Sequence, residues 1–474
     1  MNRMNTANRL LAEQFAERVI KDYGACAMAV AVVNKKGETE YERFWGTREL
    51  GKDMEVNGDT IFGLASVTKS FTALAIMQLE EKGVLHVEDP ISQYIPEFTN
   101  KNQVRQVTIA HLLSHSGGFF PLPRILVGNV ARELGLDESK VGDFAYNDAI
   151  AQEGVRQVAQ RLDAQTMEKG LNGCPGEYLS YCNDGFGLLS DIIRRHGGEA
   201  SYADYMVKHI LKPLGMERSF CDFVRPAQDD NAAVLYKKVN GQMQGHRDYH
   251  DNAFVLNGGG AMKSTLNDLK HYLYMYLNEG LAPDGSRILS QYRVREMCKP
   301  RQPYGAFGSY GYGLSMKQLD NLKVTEHGGS LPGVSSNIAW SWEAEAAVIV
   351  LCNTSGVPSG LVSDAFLRAY NGKSPIVTRD VFQETPWEDE TIRRAAGYYE
   401  SGEGTKLELY RKEDGTLGCR EDGEEKAIIP VSPVSAIIRN PYSDLFLRLV
   451  QNEERGIYAI SCGSRLIPRG EKTC

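Results

Sequence analysis

Between Phe71 and Leu79, seven of nine residues are apolar: Phe71, Ala73, Leu74, Ala75, Ile76, Met77 and Leu79. A helix with apolar side chains on nearly every face has no side to turn to water. Such a helix is buried whole, and the rest of the chain must be built around it. Gly83, after Glu80, Glu81 and Lys82, ends it as a C-terminal glycine does. Ser66-Val67-Thr68-Lys69 stand at its front, so a hydroxyl and an amine sit at the mouth of a buried helix. Three residues apart, Ser66 and Lys69 share one face. The helix N-terminus adds unpaired N–H groups and a positive partial charge.

These pieces suit nucleophilic catalysis. A serine hydroxyl needs a base to take its proton. Burial disfavours the charged form of lysine and so pushes it toward a neutral amine. Helix-end N–H groups can hold a developing oxyanion. Taken alone, S-x-x-K reads as a capping serine followed by a solvated lysine, and other stretches have to change that reading.

A chain of 474 residues predicts more than one domain, because single cores stop growing near ~250–300 residues. The net charge of −8 offers no basic footprint, which argues against nucleic acid as a partner. No stretch has the ~20 apolar residues of a membrane span. The N-terminus lacks the apolar core of a signal peptide, and the nine cysteines are odd in number and scattered, with no C-x-x-C pair. Both features fit reduced thiols and a cytoplasmic protein.

Residues 8–22 pattern as an amphipathic helix, and residues 27–33 and 39–45 as a hairpin. His111 and His115 are four apart, but no glutamate base or third ligand accompanies them, so a structural role is expected and no metal. Residues 119–173 are polar and irregular, an insertion suited to covering a site. A Pro175-Gly176 turn leads into Tyr181-Cys182-Asn183, whose tyrosine and asparagine would face one way on an extended segment. Asn257-Gly258-Gly259-Gly260 lacks the setting of a phosphate loop and reads as a tight turn with close backbone packing. Strands are expected at 310–317, 322–326, 337–342 and 346–351, with a closing helix at 360–370. Strands early and late with helices between them predict an α+β fold, an antiparallel sheet flanked by helices with an inserted helical subdomain. After a polar linker, 376–387, residues 388–474 alternate polar and apolar with evenly spaced turns, as a small all-β antiparallel barrel would.

Three motifs thus stand in order: Ser66-x-x-Lys69, Tyr181-x-Asn183 and His327-Gly328-Gly329. They resemble the S-x-x-K, Y-x-N and K/H-x-G elements of penicillin-recognising serine enzymes. FGLASVTKSFTALAIMQLEEKGVLHVEDPI, VTIAHLLSHSGG and PGEYLSYCNDGFGLLSDII are similar to strings of the β-lactamase-related serine hydrolases. That branch includes class C β-lactamases, D-aminopeptidases, D-Ala-D-Ala carboxypeptidases, esterases and acyltransferases. The resemblance covers roughly residues 10–370. The tail after Ala395 resembles the lipocalin-like barrel appended to several relatives.

The resemblance implies a hydrolase domain at 1–375 and a barrel at 388–474. It implies Ser66 as nucleophile, with Lys69 and Tyr181 as proton carriers. Asn183 would hold the substrate amide. His327 and Gly329 would line the opposite strand, and Ser330 would share the oxyanion hole with Ser66 through backbone N–H. No cofactor is implied, and the barrel is expected to narrow the cleft without supplying a catalytic group. Histidine at 327, where β-lactamases carry lysine, disfavours substrates recognised by a terminal carboxylate. The expected substrates are small amides or peptides, including ones with D-residues. Carboxylesterase, acyltransferase or peptide cyclase, and a penicillin-binding sensor without turnover are the other readings.

Overall fold

The computed structural model describes residues 4–100, 105–123, 125, 127–136, 144–167, 174–222, 225–249, 257–376 and 379–470. The helix at the head of the sequence argument spans Thr68–Glu81, and every residue from Thr68 to Glu80 is buried. Its few polar side chains find partners inside. Ser70 Oγ meets the Tyr272 hydroxyl at 2.9 Å, Thr72 Oγ1 donates to the Gly258 carbonyl at 2.7 Å, and Gln78 Nε2 donates to the Ile288 carbonyl at 2.9 Å. Phe71 stacks on Tyr272 with ring centroids 3.8 Å apart.

One face of an eight-stranded antiparallel sheet lies against the Leu266–Leu277 helix, which shares a core with this one. In space its order runs Thr39–Gly46, Ala27–Asn34, Ala346–Cys352, Val334–Ser341, Leu322–Leu331, Ser315–Leu319, Gly308–Tyr310, Gln302–Tyr304. The apolar run at 27–33 is a strand covered on both faces, as its unbroken hydrophobicity requires. Ala27, Ala29, Ala31 and Val33 join the core that holds Leu74, Leu269 and Leu273. Met28, Val30 and Val32 point the other way, into a core closed by Ala12, Ala16 and Val19 of the Thr6–Tyr23 helix and Val362 and Phe366 of the Ser359–Tyr370 helix. The helices between Thr68 and Met297 separate the first two strands of this sheet from the other six. This is the α+β arrangement of a β-lactamase/transpeptidase-like fold.

Two local expectations differ from the structure. The run at 310–317 is two strands, interrupted where Gly313 folds against the Lys69 carbonyl and Ala73. Asn257–Gly260 is a single helical turn where a non-helical tight turn is expected, with the expected close backbone packing present. Within the insertion, helices span Val127–Glu133 and Phe144–Met167, while residues 124, 126, 137–143 and 168–173 lie outside the described residues.

The C-terminal sheet has nine antiparallel strands in the order Glu424–Lys426, Leu417–Glu421, Lys406–Arg411, Gly397–Glu400, Arg465–Gly470, Gly456–Cys462, Asp444–Asn452, Ser435–Arg439, Ile428–Ser432. Its two edge strands are separated in sequence only by Ala427, so the sheet curls into a nearly closed barrel around Tyr399, Leu409, Ile438, Leu447 and Ile460. Barrel residues Val450, Ala459 and Leu466 pack on Phe120 of the first half, and Tyr442 packs on Phe15 and Tyr23. Among the described residues, no helix is long and apolar enough to cross a membrane.

Since Phe71 is fully buried and stacked, Phe71→Ala is expected to lower stability by about 3–5 kcal/mol. A drop in the chemical-denaturation midpoint measures it.

Candidate active site

Ser66 sits on the one-turn 3-10 helix Ala65–Val67 that feeds the Thr68–Glu81 helix. Ala65 holds φ at +47°, a left-handed conformation that costs a non-glycine residue ~1–3 kcal/mol. The turn is fixed from below: Thr68 Oγ1 donates to the Ala65 carbonyl at 2.6 Å and accepts from the Met262 N–H at 2.9 Å.

Lys69 is fully buried, and its amine has three partners. Nζ lies 3.2 Å from Ser66 Oγ, 2.8 Å from Asn183 Oδ1 and 2.8 Å from the Gly259 carbonyl. Burial, and then the nearby Arg465 guanidinium, hold its pKa well below the usual lysine value. A neutral amine has two hydrogens and one lone pair. With the hydrogens on the two carbonyl oxygens, the lone pair is aimed at the Ser66 hydroxyl.

Tyr181 and Asn183 arrive by a local device the sequence reading had as extended. Cys182 caps the Asn183–His196 helix by accepting from the Gly185 N–H through Sγ, at 3.3 Å, so Asn183 is its first helical residue. Tyr181 precedes the cap, buried, lining the same cleft as Ser66, with its ring 4.8 Å from Lys69 Nζ. Burial raises the phenol's pKa, so the hydroxyl keeps its proton. Beside Asn183, burial and the charge of Glu403 push the Asp184 carboxyl up to about 7.

His327, Gly329 and Ser330 lie on the Leu322–Leu331 strand, on the facing wall. His327 Nε2 accepts from the Tyr310 hydroxyl at 2.9 Å, while Nδ1 donates to the Gly328 carbonyl at 2.6 Å. Burial, with Lys69 nearby, lowers its pKa to about 3, so this wall carries no cation at position 327. Gly329 is required by contact: a Cβ there would stand 2.1 Å from the Leu64 carbonyl and 2.4 Å from Ser336 Oγ. The missing side chain lets the strand close against the Ser66 turn. Ser66, Tyr181, Asn183, His327, Gly329 and Ser330 all line one cleft of about 750 Å³, with Lys69 beneath its floor.

The cleft has a second source of polar groups that the sequence reading did not foresee. Glu403, on a barrel turn, accepts from Asn183 Nδ2 at 2.9 Å and pairs with Arg465 at 2.7 Å. The Arg465 guanidinium lies 4.3 Å from the Tyr181 ring centre, and the Ser464 carbonyl accepts from the Tyr181 N–H at 2.8 Å. These residues are 220 and 284 positions or so from the groups they meet, and no local pattern marks them. Among the described residues, no cluster of three metal-ligating side chains occurs.

A family model described as Beta-lactamase matches residues 13–372. The chain belongs to the Beta-lactamase family. It is 27% identical over 339 residues to penicillin-binding protein 4* of Bacillus subtilis (strain 168), covering 67% of this chain and 66% of that protein. The match thus spans just under two thirds of that relative's length. The octameric penicillin-binding protein homologue from Pyrococcus abyssi is similar with a TM-score of 0.65 at 24% identity, over 96% of this chain and 99% of that one. A D-stereospecific amidohydrolase from Streptomyces sp. is similar with a TM-score of 0.56 at 20% identity, over 77% and 99%. Both structural likenesses concern the fold.

Gly328 gives an internal control for Gly329, because a Cβ at 328 meets nothing closer than 3.7 Å. Gly329→Ala is expected to destabilise by roughly 1–3 kcal/mol or more and to displace the strand from Ser66. Gly328→Ala should leave the thermal denaturation midpoint within error of the parent.

Proposed function

We propose that the protein is a serine amidase that acts through an acyl-enzyme on small amides or peptides, including substrates with D-residues. The observation that carries this reading is the Lys69 amine, buried and bonded to Ser66, Asn183 and the Gly259 carbonyl. Lys69 takes the Ser66 proton as Oγ attacks the substrate carbonyl. Backbone N–H groups at Ser66 and Ser330 hold the oxyanion that forms. Tyr181 passes a proton to the departing amine, and the Ser66 ester is then hydrolysed by water. Asn183 orients the substrate amide. Glu403 and Arg465, paired with each other, give the cleft one acidic and one basic group. Substrate must compete with Glu403 for Asn183. The neutral imidazole at 327 supports an amidase above a β-lactamase. The eight described cysteines are unpaired, which supports a cytoplasmic setting.

A fluorophosphonate probe is expected to label Ser66 in the parent and to leave Ser66→Ala unlabelled. A panel of p-nitrophenyl esters, D- and L-aminoacyl anilides, D-Ala-D-Ala peptides and nitrocefin then separates the readings. Anilide or peptide turnover that disappears in Ser66→Ala supports the amidase. Turnover confined to esters would assign a carboxylesterase, and rapid nitrocefin hydrolysis would remove the argument from His327.

The pH profile tests the base. Only neutral Lys69 accepts a proton, so kcat/KM should fall on the acid side of its depressed pKa. The Arg465 cation lowers that pKa and the Glu403 anion raises it. Arg465→Met is therefore expected to move the acid limb to higher pH, and Glu403→Gln to lower pH. Limbs that stay in place in both variants would exclude Lys69 as the base.

A further inference from the structure

We infer that His115 is a positioning residue for the Ser66 site: its imidazole Nδ1 holds the Tyr181-Cys182-Asn183 segment in catalytic register. This rests on the serine-hydrolase reading above and assigns a part to a residue that reading leaves idle.

The loop containing His115 runs beside the segment that delivers Tyr181. Three N–H groups of that segment are bonded to it: Gly176 to the Ser116 carbonyl at 2.7 Å, Ser180 to the His115 carbonyl at 2.8 Å, and Cys182 to His115 Nδ1 at 3.1 Å. Two of these bonds are backbone to backbone and survive any substitution of the side chain. The third depends on the imidazole and falls on the residue between Tyr181 and Asn183. The Tyr181 N–H points the opposite way, to the Ser464 carbonyl of the barrel. Tyr181 is thereby held between barrel and hydrolase half, and on the hydrolase side the His115 side chain ties the N–H of the next residue, Cys182.

The ring has a second contact with the same target. Its centroid lies 4.0 Å from that of Tyr181 at an interplanar angle of 35°, with Phe186 at 5.0 Å and Tyr310 at 4.9 Å completing the enclosure. Tyr310 in turn holds His327. His115 thus stands where the two walls of the cleft meet.

Two features mark the arrangement as costly. His115 holds φ at +54°, a conformation few non-glycine residues adopt. Accepting at Nδ1 puts the proton of the neutral ring on Nε2, which is buried with no hydrogen-bond partner among the described residues. A leucine or phenylalanine would fill the space without the orphaned donor. What those side chains lack is an acceptor for the Cys182 N–H.

Three substitutions separate the acceptor from the ring. Asparagine places Oδ1 near the position of Nδ1 and tolerates positive φ; glutamine places its oxygen near Nε2; phenylalanine keeps a ring and no acceptor. In the full-length protein, His115→Phe is expected to lower kcat by about tenfold or more with KM nearly unchanged, because an unsatisfied buried N–H shifts the segment. His115→Asn should recover most of that loss, and His115→Gln should not. Hydrogen exchange at the Cys182 amide should quicken in the Phe and Gln variants and stay protected in Asn. Wild-type kcat and amide protection in His115→Phe would overturn the inference. So would an Asn variant as impaired as Phe, which would make the ring and not the acceptor the operative group. If the parent turns over nothing on the substrate panel, the hydrolase reading fails, and amide exchange still decides whether His115 holds the segment.

Discussion

A buried amine with nowhere to put a charge governs this structure. Lys69 lies beneath the cleft floor, and the ordinary cost of an ammonium there amounts to several kcal/mol before compensation. Compensation comes from two carbonyl oxygens and a hydroxyl, and each is delivered by a different element. Ser66 comes from the same helix entry, Asn183 from the helix capped by Cys182, and the Gly259 carbonyl from the turn at 257–260. That turn can approach because Gly258 has no Cβ; one would stand 2.1 Å from the Phe186 carbonyl. The packing of three elements and the protonation of one nitrogen are therefore the same constraint. Loosening any of the three would admit water and return the lysine to its ordinary basicity.

This explains which parts of the molecule were legible in the sequence. The all-round apolar pattern from Phe71 to Leu79 admits only a buried helix, and the helix is buried. The run at 27–33 admits only a strand covered on both faces, and it contributes to both cores, as the strand at 346–352 beside it does. These are features in which local composition already specifies the environment. In the Tyr181-Cys182-Asn183 stretch only Asn183 departs from the extended reading, because thiol capping is an uncommon signal: cysteine is not among the residues that ordinarily announce a helix start. The one-turn helix at 257–260 was equally hidden, since glycines carry little helical preference and tertiary packing decides their conformation.

Glu403 and Arg465 were illegible for a different reason. Glu403 sits on a barrel turn and Arg465 opens the strand after another, where charged residues are ordinary and solvent is the default partner. Their place in the cleft follows from how the barrel docks, and docking is set by scattered contacts such as Phe120 against Val450, Ala459 and Leu466. Sequence periodicity reports what a segment buries, but not against what. The same limit holds at position 327: the strand there is neutral, and the cation nearest Tyr181 from the barrel side is a guanidinium 138 residues further along.

The signs of the charges across this junction make a further point. Arg465 disfavours a charged Lys69 and Glu403 favours one, so the barrel's two ions act on the amine in opposition. Paired at 2.7 Å, they bring the cleft hydrogen-bonding groups of both kinds while their effects on the buried nitrogen partly cancel. A single ion from the barrel would have coupled specificity to basicity, because any change in the recognition group would have moved the pKa of the base. An ion pair relaxes that coupling. On the proposed mechanism, the Lys69 amine held by Gly259 and Asn183 would keep its basicity even where the barrel's ions differed. That holds only while the pair stays intact. A group that drew Glu403 away from Arg465 would change the field at Lys69, so on the proposed mechanism binding at the barrel ions and the basicity of Lys69 would be linked through that salt bridge.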